Sequence, residues 1–199
     1  MLRSLWTGGK IIVGLVLIMI LVHVINVVLD GQLNQYGIIP RSVAHWFHIF
    51  TSPFIHGDLG HLINNLFGLA IFSALCLFRS TSLYVACSIF VIVLTGVLIW
   101  CFARGVIHIG ASGWIFGLWS FSIAIAWFDR RLINILCGFV VVFLYGGMIY
   151  GLLPNDPKIS FEAHLFGAIS GALFAFLHSL FLKRSNRNEQ EKNRGLSDG

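Results

Sequence analysis

The chain has 199 residues, of which 57% are hydrophobic and only 11% charged, with a formal net charge of +5. Soluble domains carry about 25% charged residues, so the composition excludes an ordinary soluble globular protein and indicates an integral membrane protein. The positive charge is dispersed between apolar stretches and is read below as a topology signal, not as a nucleic-acid-binding surface.

Residues 1–10 carry Arg3 and Lys10 ahead of an apolar run over 11–29. That run is too long for the apolar core of a signal peptide, and no small-x-small cleavage site follows it, so it is expected as a retained first helix. Further apolar stretches cover 59–78, 84–103, 111–128, 132–150 and 161–182. Each is close to the ~20 residues that a helix needs to cross the hydrocarbon core. The expectation is an all-α membrane protein in which six helices (11–182) form the functional unit. Residues 1–10 and the basic tail 183–199 flank it, and composition predicts that the tail is disordered.

The longest connector, 30–58, is not uniformly polar. Trp46, Phe47, Ile49, Phe50 and Phe54 alternate with His45, His48 and His56, a mixture suited to the membrane interface. Asp58 is placed to cap the helix that begins near Leu59. Within that helix His61 and Asn65 are four residues apart and share a face.

The fourth apolar stretch is the short one. Between the irregular run Arg104–Ile109 and Asp129-Arg130-Arg131, a helix starting at Gly113 has about 16 residues, roughly 24 Å, short of the ~30 Å hydrocarbon core. Its N-terminus is expected to begin within the membrane, with irregular backbone descending to reach it. Such backbone is stable at depth only where protein or a water-filled cavity satisfies it.

Ser112 sits at this junction, between Gly110 and Gly113. A serine hydroxyl becomes a nucleophile when a base takes its proton, and the N–H groups at a helix N-terminus can stabilise an oxyanion. A neutral imidazole is the usual base. His164 heads a stripe of small residues, Gly167, Ala168 and Gly171, that would carry it to a close helix–helix seam. Ionisable residues inside apolar helices are costly and usually functional. Glu162 is two residues from His164 and points elsewhere on a helix, so it reads as an outer-end polar residue and not a third catalytic group. Cys76, Cys87, Cys101 and Cys137 lie singly in apolar segments and read as small core residues, and His-Glu-x-x-His is absent, so no metal site is expected.

Three ordered pieces, Thr51-Ser52-Pro53-Phe54-Ile55-His56-Gly57-Asp58-Leu59-Gly60-His61 with Asn65, Gly110-Ala111-Ser112-Gly113, and Ala163-His164-Leu165-Phe166-Gly167 with Gly171, resemble the rhomboid family of intramembrane serine proteases. The resemblance extends over residues 11–182. It implies a rhomboid-like six-helix bundle, Ser112 as nucleophile, His164 as general base, and an oxyanion site formed by His61, Asn65 and the Ser112 N–H. Gly110, Gly113, Phe116, His56 and Gly167 would support it. It also implies that no metal or cofactor is used, that the substrates are transmembrane helices of other proteins, and that 30–58 is the membrane-embedded first loop. The chain lacks a Trp-Arg pair that some members carry in that loop, and has Phe116 where they have Tyr. Phe116 can pack against the imidazole but cannot hydrogen-bond to it. Two other readings are an inactive relative that binds membrane proteins, which a fluorophosphonate probe would leave unlabelled, and a small transporter, for which inverted repeats are missing.

Arg3, Lys10, Arg79, Arg130, Arg131 and the tail from Lys183 to Arg194 fall on the side shared by the termini, against Arg41, Arg104 and Lys158 opposite. By the positive-inside rule both termini are expected in the cytoplasm, and the chain in a bacterial inner membrane. Reporter fusions at the C-terminus are accordingly expected to report cytoplasm, and a cysteine at His45 to label from outside; an outward C-terminus would overturn the six-span map.

Overall fold

In the computed structural model, residues 2–154 and 159–197 are described, so Lys158 lies outside the described residues. Among the described residues seven α-helices follow one another: α1 (Leu2–Val28), α2 (His48–Thr51), α3 (Leu59–Arg79), α4 (Thr81–Phe102), α5 (Ser112–Phe128), α6 (Leu132–Tyr145) and α7 (Phe161–Ser197). A 3-10 segment, Gly146–Leu152, prolongs α6. Five stretches are long and apolar enough to cross a membrane: Trp6–Val28, Leu59–Arg79, Thr81–Phe102, Leu132–Leu152 and Phe161–Glu191. The sixth apolar helix, α5, has 17 residues, about 26 Å of helix, and is the short one that the sequence leads one to expect.

Local chemistry sets the boundaries. Asp58 accepts a hydrogen bond from the His61 N–H at 2.8 Å and so caps α3. Ser80 ends α3 and caps α4, its hydroxyl accepting from the Leu83 N–H at 3.4 Å. This cap explains why α4 starts at Thr81, three residues before the apolar run. The tail departs from expectation: α7 continues as helix to Ser197. Once a helix is nucleated, adding residues such as Lys, Arg, Glu and Gln needs only propagation, so a polar composition does not stop it.

α5 is apolar around its whole circumference and is buried from Gly113 through Ser122, as such a helix must be. Its closest neighbour is α7. A Cβ added at Gly167 would run into the Gly113 carbonyl, and one at Gly171 into the Gly117 carbonyl and Ser120 Oγ. The two backbones touch because neither helix has side chains there. Ser120 Oγ donates to the Ala168 carbonyl at 2.7 Å across the same seam, and Thr95 Oγ1 donates to Ser170 Oγ at 3.2 Å between α4 and α7. The outer surface is apolar: Val13, Leu17, Leu21, Val24 and Val28 on α1, and Phe139 and Phe143 on α6, are exposed. Apolar exposure on this scale is stable only against lipid.

The 30–58 connector is folded, with short helical turns at Gln32–Tyr36, Val43–His45, α2 and Ser52–Phe54. Buried Asn26 near the end of α1 holds both of its ends, accepting from the Leu33 N–H at 2.9 Å and donating to the His56 carbonyl at 3.4 Å. Its middle is pinned to the segment before α5, where Ile38 and His108 exchange backbone hydrogen bonds of 2.8 and 2.9 Å and the Arg41 guanidinium donates to the Ala103 carbonyl at 2.8 Å.

Gly171→Val is expected to cost about 3 kcal/mol or more, because the added atoms meet backbone that cannot move aside. Gly14→Ala, where an added Cβ meets nothing within 4 Å, should be neutral or slightly stabilising. Thermal melting in detergent checks both, and equal melting temperatures for the two variants would refute the close α5–α7 contact.

Candidate active site

Ser112 is the first residue of α5, following Ala111 in the cap position. The N–H groups of this first turn have no partners within the helix. Gly110 precedes them at φ +106°, in the left-handed region that glycine alone enters readily. A Cβ there would lie 2.5 Å from His61 Nε2, so the missing side chain lets that imidazole approach the backbone just before Ser112. The Gly110 N–H is itself held by the Ser52 carbonyl at 2.9 Å.

His164 lies in the first turn of α7. Its ring stacks on Phe116, with centroids 4.1 Å apart and planes 10° from parallel. Phe116 is one turn below Ser112 on the same face of α5, and a Cβ on Gly113 would lie 3.1 Å from the Ala163 carbonyl. Ser112 and His164 thus face one seam. Among the described residues no hydrogen bond joins them. His164 Nδ1 lies 2.8 Å from the Gly151 carbonyl. A carbonyl only accepts, so Nδ1 carries the hydrogen and Nε2 keeps its lone pair. The stacking expected of Phe116 is therefore observed, and it is combined with a tie that no sequence motif announces. The signal was absent in principle, since the acceptor is a main-chain oxygen in the Gly146–Leu152 turn.

Asn65 is buried, and its amide donates to the His61 carbonyl one turn earlier at 2.8 Å. This bond holds the side chain in place and leaves its second amide hydrogen for another acceptor. His56 is fully buried, packs edge-on against His61 with ring centroids 5.0 Å apart, and has no hydrogen-bond partner on either ring nitrogen among the described residues. Its carbonyl is held by His23 Nδ1 at 3.2 Å and by Asn26. His56 is thus a packing support behind His61.

Glu162 behaves as a polar end residue: its carboxylate pairs with the Arg104 guanidinium at 3.2 Å. The neighbouring groups extend this pair into a clamp that the sequence did not reveal. The Arg104 guanidinium also donates to the Ile159 carbonyl at 2.7 Å, while His108 donates from Nε2 to the Arg104 carbonyl at 3.2 Å and accepts at Nδ1 from Ser160 Oγ at 2.6 Å. The approach to Ser112 is thereby fastened to the start of the helix that carries His164.

A multi-pass helical membrane protein with a close α5–α7 seam, its His164 stacked on Phe116 one turn from Ser112, is the class that this geometry defines. The chain belongs to the rhomboid family, its residues 43–181 matching the Rhomboid domain model. It is 30% identical over 187 residues to an uncharacterized protein of Mycobacterium tuberculosis (strain ATCC 25618 / H37Rv), covering 89% of this chain and 78% of that one. An uncharacterized protein of Mycobacterium leprae (strain TN) is 29% identical, with 89% and 74% covered. Rhomboid-like protein 11, chloroplastic, of Arabidopsis thaliana is 28% identical over 162 residues, with 74% of this chain and 58% of that one covered.

Burial, with the neighbouring His61 second, pushes the His56 imidazole down to about 4 from its ordinary 6.5, and burial also lowers His108. In the unfolded chain both groups take up protons nearer pH 6.5, so between about 6.5 and 4 protonation favours unfolding, and stability falls as the pH falls. The melting temperature should be flat above pH 7 and drop through this window. His56→Gln should flatten the drop, and an unchanged slope would contradict the buried, neutral His56.

Proposed function

We propose that this protein is an intramembrane serine endopeptidase with a Ser112–His164 dyad, acting without metal or cofactor. The observation that carries the proposal is the His164 ring, stacked on Phe116 one turn from Ser112 with Nδ1 committed to the Gly151 carbonyl. With Nδ1 so committed, Nε2 is the ring nitrogen left to act as base toward Ser112.

In the reaction, Ser112 Oγ attacks the scissile carbonyl carbon and its proton passes to His164 Nε2. The carbonyl oxygen, now an anion, is stabilised by the Ser112 N–H at the start of α5, the free amide hydrogen of Asn65 and the His61 ring. Collapse breaks the C–N bond as His164 returns the proton to the leaving amine. Water then hydrolyses the acyl-enzyme by the same proton path in reverse. A peptide bond within an intact helix is shielded from such attack, so the substrate is a transmembrane helix of another protein, unwound near its end where small or helix-breaking residues lower the cost. The site would face the outer side of a bacterial inner membrane, with both termini in the cytoplasm.

Ser112→Ala and His164→Ala should each abolish cleavage of a single-span substrate in detergent or proteoliposomes, while their melting temperatures stay near that of the wild type. Because the two act as a unit, the double variant should be scarcely worse than either single one. Ser112 should react covalently with a fluorophosphonate, which an inactive, merely binding relative would not do. Asn65→Ala should lower kcat by about 10²–10³, more than it raises KM. Retained turnover in Ser112→Ala would exclude serine catalysis, whereas wild-type turnover in Asn65→Ala would remove only the oxyanion assignment.

A further inference from the structure

At the end of the bundle remote from Ser112, α5 stops at Asp129 and the chain turns through Arg130 and Arg131 into α6. A cleft open to solvent lies there between the end of α3, the start of α4, this turn and α7. Its polar wall is formed by Arg79, Ser82, Asp129, Arg131, Asn134 and His178. A second cleft shares Asp129 and Arg131 and adds Arg130 and Lys183. Arg79, Arg130, Arg131 and Lys183 thus line the two clefts, against the single carboxylate of Asp129.

The cationic wall is built as well as charged. Asn134 is 4% exposed; its carbonyl oxygen accepts from Arg79 Nε at 2.9 Å while its amide donates to the Asp129 carbonyl at 3.0 Å. Arg79 Nη1 donates to the Leu75 carbonyl at 2.9 Å, and Nη2 has no acceptor among the described residues. The guanidinium is therefore held in one orientation through two of its nitrogens, while the third, Nη2, is buried without an acceptor at the wall of the cleft, a donor that a phosphate seated there would satisfy. Asp129 is engaged through its carboxylate by Arg131 Nε at 3.4 Å, which leaves the remaining donors of Arg131 available.

The surroundings select the kind of phosphate. Phe78, Ile133 and Leu182 line the same cleft, and Phe78, Leu132, Ile133 and Phe181 are exposed beside it. A free anion has no use for such a flank, but the acyl chains of a lipid do. We propose that this cleft binds the phosphate of an anionic phospholipid, with Arg79 and Arg131 as its principal contacts and the apolar flank taking the acyl chains. The inference does not depend on the proposed hydrolysis, because the cleft lies at the opposite end of the bundle from Ser112.

The test uses the purified full chain in a neutral detergent, titrated with short-chain phosphatidylglycerol, short-chain phosphatidylcholine or inorganic phosphate. Native mass spectrometry and the melting temperature provide the readouts. Phosphatidylglycerol should be retained and stabilising, with an affinity about ten-fold above that of phosphatidylcholine. Arg79→Gln and Arg131→Gln should each weaken it by about five-fold, from the ~1 kcal/mol that a cation near an anionic headgroup contributes. Arg187→Gln, which lines neither cleft, should leave binding unchanged. Arg79 also supports Asn134, so if its variant does not fold, Arg131→Gln, which changes a largely exposed side chain, decides the matter alone. Equal binding of the two lipids, or wild-type binding by the foldable variants, would show that the cations serve topology only. Inorganic phosphate stabilising as strongly as phosphatidylglycerol would overturn the lipid assignment and leave a free-phosphate site.

Discussion

Contact between the bare backbones of α5 and α7 fixes the rest of the molecule. Between apolar helices in lipid, burial gives no net drive, and association rests on close packing and on hydrogen bonds. Gly167 and Gly171 remove the side chains that would hold the helices apart, so the Gly113 and Gly117 carbonyls meet them directly. Ser120 then reaches across to the Ala168 carbonyl. A seam this tight has one register, and that register brings the first turn of α7 beside the first turn of α5. The position of His164 on Phe116 follows from helix packing more than from any local feature of residues 161–164.

Much of this arrangement was legible in the sequence. Apolar runs of membrane length are strong signals, and so is a polar residue within them, because burial in lipid tolerates few exceptions. The short α5, the Asp58 cap and the small-residue faces that bring α5 and α7 together all follow from such local rules. The unread parts depend on tertiary context. The Gly151 carbonyl carries no side-chain signature. Arg104 and Glu162 are 58 residues apart, and nothing in either neighbourhood marks them as partners. The helical continuation of α7 into a polar tail depends on nucleation by the preceding span, which composition does not register. Asn65 shares a helix face with His61 by spacing alone, but its bond back to the His61 carbonyl is a feature of the folded chain.

The clamp around Arg104 also bears on how the site keeps its shape. Residues 103–111 are irregular, and irregular backbone is ordinarily the mobile part of a fold. Here the segment is fastened on two sides: to the 30–58 connector through Ile38, and to α7 through His108, Ser160 and the Arg104–Glu162 pair. The pair is partly buried, where the removal of one partner leaves an uncompensated charge and costs more than a surface pair would. Its role is geometric. It joins the segment leading into α5 to the first turn of α7, the helix that carries His164.

The hydrogen bond from His164 to Gly151 has a consequence for how this protein can change over evolutionary time. A side-chain partner can be lost by a single substitution at its own position, and then the imidazole would be free to turn. A carbonyl acceptor is supplied by every amino acid, so its chemistry survives any replacement at residue 151. What residue 151 must remain is small, because a Cβ there would sit 2.8 Å from the Phe116 ring and 3.4 Å from His164 Nδ1. The orientation of the imidazole is thus inherited through the path of the main chain, and the neighbouring side chains of the 146–152 turn are free to drift so long as that path is kept.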